Sequence, residues 1–390
     1  MNIQYLTLGE VCQKASSNIA QKDLENNSGN YEIYGASGFI KTVDFYHQEQ
    51  PYIAIVKDGA GVGRTMLLPA RSSVIGTMQY IIPNDKIDIR YLYYGIVNMN
   101  LSRYYMGAAI PHIYFKDYQK ELLPIPDKAE QIKIANTLEL LDKLIDARNN
   151  QIEAFDNLVK SRFIEMFGDV IQNDRGWQQY SFSDIASSRL GKMLDAKQQT
   201  GKCAYPYLAN FNVQWFRFEV DNLNQMDFSE ADRQEFELRD GDLLVCEGGE
   251  IGRCAVWHNE IQPCYFQKAL HRVRCNQLMV LPNYMAWWFK YNCDHKGFAA
   301  IEGAKATIAH LPGAKLKVLK VTVPPIELQG QFAAFVEATD KLKFLNLKEQ
   351  LCLILEKKWI YIYKNYYLYN INHPIIFLIN LLKACCVRNL

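Results

Sequence analysis

The sequence is short of several things. Its ten cysteines, at 12, 203, 246, 254, 264, 275, 293, 352, 385 and 386, include no pair at the C-x-x-C spacing of a zinc or redox site, so reduced thiols in a cytosolic protein are the economical reading. It lacks an excess of either charge: 43 Lys+Arg against 42 Asp+Glu leave +1, and no bulk attraction draws it to nucleic acid or membrane. Any anion it holds must be held by local patches. Pro374–Leu382 is the one segment that invites a membrane reading, and it falls well short of the ~20 apolar residues that cross a bilayer. The opening MNIQYLTLGEVCQKASS has no basic region followed by an apolar one, so no export signal is expected, and the sequon at Asn26 is ascribed to chance. Missing too are a Walker A loop, an Asn-Pro-Pro-Phe/Tyr methyltransferase motif and a nuclease constellation.

What is present suffices to fold. The 390 residues, 49% hydrophobic and 22% charged, allow two or three domains with cores of their own and exclude a disordered polymer. The chain also repeats itself. PDKAEQIKIANTLELLDKL from Pro126 and PPIELQGQFAAFVEATDKL from Pro324 align at one offset, 324 − 126 = 198, through Pro126/Pro324, Gln131/Gln329, Ala135/Ala333, Asp142/Asp340, Lys143/Lys341 and Leu144/Leu342. Identities at one offset without a gap indicate duplication. The same offset carries back to His112-Ile113 over His310-Leu311, and IVKDGAGVGRTML (55–67) matches LVCEGGEIGRCAV (244–256) at 253 − 64 = 189. The slippage between the two offsets places loop insertions between those points.

Each copy thus runs from a β-rich, aromatic, glycine-punctuated stretch through proline into a helix. After Pro126, apolar residues at Ile134, Leu138, Leu141, Leu144, Ile145, Ile152, Phe155, Leu158, Val159 and Phe163 recur at steps that sum to one face. They predict a helix from Asp127 to a stop at Gly168, ~60 Å long at 1.5 Å per residue. So long a stripe needs a second helix beside it, and the second copy offers Phe332, Phe335, Val336, Leu342, Leu345, Leu351 and Leu355. A helical hairpin inside one domain is the alternative.

Gly59-Ala-Gly61-Val-Gly63 has the look of a phosphate cradle, yet it lacks the Rossmann spacing, and its counterpart Glu247-Gly-Gly-Glu250 carries an acid at each end. The other readings are a plain hairpin, or a tight turn between strands that presents Arg64 and Arg253 to a phosphate or a guanine edge. Gly61, Gly63 and Gly252 would shape such turns. His112 and His310 stand at matching points, either bonded to backbone or facing a ligand. Arg103-Tyr-Tyr-Met-Gly107 with Lys116, and Lys296 with Lys305 near Gly303, mix cations with aromatic or small residues as nucleic-acid faces do, or form solvated loops. Tyr91-Leu-Tyr-Tyr94 and Met285-Ala-Trp-Trp-Phe289 occupy equivalent stretches and read as core in preference to base-stacking platforms.

The order of these features resembles the specificity (S) subunits of type I restriction-modification systems over about residues 5–358. It rests on Leu8-Gly-Glu-Val11 and Phe182-Ser-Asp-Ile185 opening each copy, Gly61-Val-Gly-Arg64 and Glu250-Ile-Gly-Arg253 within it, a P-x4-Q-x2-[IF]-A helix start closing it, and Gly168-Asp169 after an Arg-Phe-Ile-Glu-Met-Phe run. The resemblance implies an α+β fold: two homologous mixed α/β target-recognition domains joined by two long helices in an antiparallel coiled-coil spacer. Each domain would read one half of a bipartite site in double-stranded DNA. The helices would space the halves and dock methyltransferase (modification) subunits, and through them the restriction (helicase-nuclease) subunit. The S subunit catalyses nothing and binds no cofactor or metal; S-adenosylmethionine, ATP and Mg belong to its partners in the cytoplasm. DNA contacts would then come from Gly61, Gly63, Arg64, Arg103, His112, Lys116, Gly252, Arg253, Lys296, Lys305 and His310. Spacer and docking positions would be Gln131, Ile134, Leu138, Leu141, Leu144, Gln329, Phe332, Phe335, Val336 and Leu342.

The expected division is a first recognition domain (1–125), first spacer helix (126–170), second recognition domain (171–323), second spacer helix (324–358) and a tail (359–390). After Glu356 no acidic residue occurs, and Ile, Tyr, Asn and Lys crowd together. A slipped frame or rearrangement near codon 358, replacing the end of the second spacer helix, is the expectation; a tail packed on the domains is the alternative. Two other function classes remain open: a self-sufficient enzyme binding a small ligand in the glycine loops, and a non-catalytic assembly scaffold. A split DNA site needs two divergent copies, whereas one catalytic site does not.

Overall fold

The computed structural model describes residues 4–107, 111–195, 199–298 and 310–366. Lys305 and most of the tail lie outside them. The chain divides into two compact units, Met1–Gln151 with Leu345–Leu390, and Ile152–Phe344.

In the first unit, β1 (Gln4–Thr7) leads into the one-turn helix α1 (Leu8–Val11) and β2 (Cys12–Ser16). Then come β3 (Tyr31–Gly35), β4 (Gly38–Val43), β5 (Tyr52–Val56), β6 (Thr65–Leu68), β7 (Ser73–Val74) and β8 (Met78–Pro83). Helices α2 (Ile89–Asn98) and α3 (Phe115–Tyr118), strand β9 (Leu122–Ile125) and the long α4 (Lys128–Phe167) follow. The strands form an antiparallel sheet β2-β8-β5-β6, a smaller sheet β4-β3-β7 in which β3 and β7 run parallel, and the pair β1-β9. Every residue of β5, Tyr-Ile-Ala-Ile-Val, is buried, as an unbroken apolar run in a central strand requires.

The second unit repeats this plan with its own insertions. It contains β10 (Gln178–Ser181), α5 (Phe182–Ile185), β11 (Ala186–Leu190), β12 (Ala204–Leu208), β13 (Val213–Gln214), β14 (Arg217–Phe218), β15 (Asn224–Asp227) and α6 (Glu230–Phe236). After these come β16 (Leu243–Cys246), β17 (Cys254–Val256), β18 (Tyr265–Phe266), β19 (Leu270–Cys275), α7 (Pro282–Asp294), α8 (Gly313–Val318), β20 (Lys320–Val323) and α9 (Ile326–Tyr366). Its sheets β11-β19-β16-β17, β15-β12-β18 and β10-β20 reproduce the orders of the first, including the parallel pair, now β12 with β18. The opening motifs are equivalent too. Thr7 N–H donates to the Glu10 carboxylate at 2.7 Å, and Ser181 N–H to Asp184 at 3.2 Å, so the acid caps the turn whose apolar residues enter the core.

The duplicated glutamines explain themselves. Gln131 is 1% exposed; its amide NH2 donates to the carbonyls of Pro126 (2.9 Å) and Lys86 (3.2 Å), and its oxygen accepts from Asp88 N–H at 2.7 Å. Gln329, fully buried, donates to Pro324 (2.8 Å) and Met279 (3.0 Å) and accepts from Leu281 N–H at 2.8 Å. Asp88 and Leu281 are the N-caps of α2 and α7, so each glutamine ties a long helix to the cap of its domain's helix. These side chains are spent inside their units and offer nothing to a docked subunit. Tyr91 and Tyr284 make a second matched pair, donating to Pro124 O (2.8 Å) and Thr322 O (2.7 Å), positions that differ by the same 198 residues. The aromatic stretches of α2 and α7 are core, as expected.

Helix α4 runs 40 residues and ends where Gly168 adopts φ +73°. It pairs antiparallel with α9 in both units. In the first, Lys357 meets Asp142 and Arg148 meets Glu349; in the second, Lys343 meets Asp156 and the Phe163 ring packs 5.4 Å from that of Phe332. Two expectations need correction. The second helix does not stop at 358 but continues to Tyr366, giving 41 residues, because no glycine or proline interrupts the chain between Gly330 and Pro374. Ile360 is buried in the first unit's core, so the onset of the non-repeating segment prolongs the seam. Leu144, Leu158, Leu342, Leu345 and Leu351 are not buried in a seam: they are 42%, 49%, 50%, 49% and 55% exposed. A straight helix drifts ~20° per heptad from a fixed stripe, and the apolar residues follow the two domains instead. Ile134, Ala135, Leu138 and Leu141 enter the first unit's core, whereas Val159, Phe163, Phe167 and Phe332, with the half-buried Phe335 and Val336, enter the second's.

Replacing Gln329 with Leu leaves the Leu281 N–H and two carbonyls buried without partners, at about 1–3 kcal/mol for each group stranded. Urea unfolding should show a loss of at least ~2 kcal/mol, against less than ~0.5 kcal/mol for Leu at the exposed neighbour Gln331.

Candidate functional site

The glycine loops are hairpin connections, β5 to β6 in one unit and β16 to β17 in the other. Val56 N–H bonds Arg64 O at 2.9 Å and Gly63 N–H bonds Val56 O at 2.9 Å; Cys246 N–H bonds Arg253 O at 2.8 Å and Gly252 N–H bonds Cys246 O at 3.2 Å. Gly63 and Gly252 take φ of +85° and +80°, and a Cβ on Gly63 would lie 2.6 Å from the backbone nitrogen of Ser102. Their lack of a side chain lets the segment following α2 or α7 close onto the loop. Gly61 has no such need: its φ is not left-handed and a Cβ there meets only ordinary contacts. The loop amides of Gly59, Val62, Gly63 and Arg64 are all bonded to backbone carbonyls, which leaves those groups no part in cradling a phosphate.

The structure brings each loop to its histidine. Asp58 and His112 form an isolated antiparallel bridge, as do Gly248 and His310, flanked by Ile113 N–H to Lys57 O (3.0 Å) and Leu311 N–H to Glu247 O (2.6 Å). In the first unit His112 Nδ1 and Lys57 Nζ both bond the Asp58 carboxylate. Burial works against the charge on Asp58, but these hydrogen bonds outweigh it and hold the carboxyl below its ordinary range. The His112 ring lies 4.1 Å from that of Tyr114, over which Lys116 Nζ sits at 5.1 Å, and Tyr105, Met106 and Tyr114 are exposed around it. Arg103 belongs to the same patch through the segment on Gly63, though its guanidinium is paired with Glu121 at 2.6 Å. In the second unit glycine replaces the aspartate and His310 is exposed. Lys296, also exposed, follows α7 at φ +60°.

The two arginines hold the same post with different freedom. Arg64 Nη1 donates to Ala36 O at 2.6 Å and remains exposed. Arg253 donates to Asn210 O at 3.1 Å, faces Glu250 at 3.4 Å, and its side chain is only 17% exposed. Each ties the loop to the turn that ends β3 or β12. Sequence reading missed that clamp, along with Asp58 and His271, a buried residue of β19 whose Nε2 lies 2.9 Å from the Leu311 carbonyl beside His310. The matching position in β8 is Gln79, also buried. Burial likewise pushes the Cys12 and Cys264 thiols up to about 12, which leaves them unreactive. Among the described residues no cluster of three His, Cys, Asp or Glu could hold a metal, and no helix is long and apolar enough to cross a membrane.

Comparison with known proteins gives a consistent result. The profile of the family described as "Type I restriction modification DNA specificity domain" matches residues 2–154 and 174–356. A putative type I restriction enzyme specificity subunit of Haemophilus influenzae is 22% identical over 367 residues, 91% of this chain and 92% of its own length. The type I restriction enzyme MjaVIII specificity subunit of Methanocaldococcus jannaschii is 26% identical over 157 residues, 38% of this chain and 36% of its own. In fold, the crystal structure of a type I restriction-modification S subunit from M. genitalium superposes with a TM-score of 0.58 at 16% identity, covering 92% of this chain and 95% of that one.

Burial lowers the pKa of His271 from 6.5, so below that pH the unfolded chain binds a proton that the folded chain refuses. Its stabilising contribution is complete above pH 6.5 and falls as pH drops, with a slope of up to about 1.4 kcal/mol per pH unit. His271→Gln keeps a hydrogen-bond donor and should remove that slope below pH 6.5 in urea titrations, the difference from wild type being the readout.

Proposed function

The chain belongs to the type I restriction-modification DNA specificity family, and on that premise we propose how its parts divide the work. It is the DNA specificity subunit of such a system, the component that performs no catalysis, within a type I complex. Residues 1–125 and 171–323 each read one half of a split site in double-stranded DNA. The long helices of segments 126–170 and 324–358, the second prolonged to Tyr366, set the gap between halves and seat the methyltransferase subunits, which in turn recruit the helicase-nuclease. S-adenosylmethionine, ATP and Mg fall to those partners, and the complex works in the cytoplasm.

The observation that carries this reading is the duplicated patch. In both units a hairpin loop, an arginine clamp and a histidine segment converge on one surface, and the groups they present differ. A single scaffold presenting two chemistries suits a site with two unlike halves. In the first unit the contacts are Arg64, Arg103, His112 and Lys116, with Gly61 and Gly63 shaping the turn; in the second they are Arg253, Lys296, Lys305 and His310, with Gly252 shaping the turn. Arg64 and Lys116, both exposed, suit phosphates, whereas His112, oriented by Asp58, suits a base edge.

With a net charge of +1, the chain alone has little counterion release to draw on, so tight specific binding should appear only with the modification subunits present. In that complex, Arg64→Ala with Lys116→Ala should weaken binding for all sequences and lower the salt slope by about 1–2, while His112→Ala relaxes base choice in one half only. Long-read mapping of methylated genomic DNA with and without the gene is the decisive measurement. A two-part methylation motif that persists without the gene excludes the reading.

A further inference from the structure

Arg148 and Asn346 are the same position of the repeat, 198 residues apart, and they touch. Arg148 Nη1 donates to Asn346 Oδ1 at 3.0 Å and to Gln151 Oε1 at 2.8 Å, while its Nη2 pairs with Glu349 at 2.6 Å. Asn346 is 8% exposed, buried between leucines at 345 and 347 that are both half-exposed. A buried amide on a helix–helix seam is stable only where a partner meets it, so it favours one register over its neighbours. Sliding α9 by one heptad would carry Asn346 to the level of Leu141, a buried apolar residue with no hydrogen bond to offer.

The contact is also selective for which helices pair. Only at the centre of an antiparallel pair of repeats can equivalent positions face each other. Two first-copy helices would set Arg148 against Arg148, and two second-copy helices Asn346 against Asn346. The arginine with its asparagine and glutamate is completed only when one copy of each is present. We propose that Arg148, Asn346 and Glu349 form a lock that fixes the register of α4 against α9 and admits only a first-copy helix paired with a second-copy one. They are positioning residues. The proposal rests on the reading that this helix pair sets the gap in the DNA site.

The repeat supplies its own control, a mirrored lock built from Arg148→Asn, Gln151→Glu, Asn346→Arg and Glu349→Gln. The full chain, assembled with its modification subunits, is assayed for methylation of DNA carrying the two half-sites at the native gap and at gaps one base pair shorter or longer. Asn346→Arg alone sets two guanidiniums together and should cut the preference for the native gap by about tenfold, and the mirrored variant should restore it to within about threefold. Thermal melting followed by circular dichroism shows which variants fold. A folded Asn346→Arg chain that keeps the native preference overturns the lock, and so does a folded mirrored chain that fails to regain it. If Asn346→Arg does not fold, the mirrored variant decides alone. An unmodified complex that methylates no two-part motif sinks the functional reading instead, and the two failures are thereby told apart.

Discussion

One buried amide per unit holds the rest in place. Gln131 and Gln329 each satisfy two carbonyls and one N–H, and only a side chain with donor and acceptor on one short rigid group can do that. A glutamate there would turn lone pairs toward the proline carbonyl, and a leucine would leave all three groups dry and unpaired. The bonds run between the first turn of a long helix and the cap of α2 or α7. Tyr91 and Tyr284, one turn along those helices, fasten the strand that leads into the same long helix. Segment 101–102 after α2, and Phe298 after α7, close in turn on Gly63 and Gly252 of the loops. Within each unit, therefore, a continuous run of packed and hydrogen-bonded groups joins the hairpin loop to the start of the long helix, and a displacement at one end is resisted at the other.

The long helices show a division of labour that a plain coiled coil lacks. Within each unit their apolar residues enter that unit's core, while in the first unit the stretch around Arg148, Asn149, Asn346, Glu349 and Gln350 is bridged by polar side chains. Burial in the cores stabilises at roughly 25 cal/mol per Å² of apolar surface. Exposed ion pairs in the middle add little energy, and their contribution is to distinguish one alignment from another.

Much of this was legible in the sequence. The 198-residue offset exposed the duplication, Gly168 marked the end of α4, and the aromatic stretches read correctly as core, because each depends on local spacing and residue type alone. The joining of each glycine loop to its histidine was hidden, since it is set by backbone pairing across more than fifty residues. The expected seam at Leu144 and Leu342 failed because periodicity reports a stripe but not which neighbour covers it. The second helix runs past 358 because the shift in composition there carries no helix breaker. Residues 359–366 contain neither glycine nor proline, and Ile360 is packed in the first unit's core.

The divergence of the two loops is the part that bears on recognition. At the bridge to the histidine the first unit has Asp58, whose carboxylate engages His112 and Lys57; the second has Gly248, and its histidine is left exposed. A carboxylate at that point orients the imidazole through a hydrogen bond, whereas glycine has no side chain to do so. The arginines diverge the other way, with Arg64 exposed and Arg253 drawn between Asn210 and Glu250. The backbone bonds that close each hairpin at its arginine and join it to its histidine segment nonetheless recur in both units. Duplication therefore preserved the hydrogen bonds that shape the surface and altered the side chains that face outward, the pattern expected when the fold is under one constraint and the two reading surfaces under separate ones.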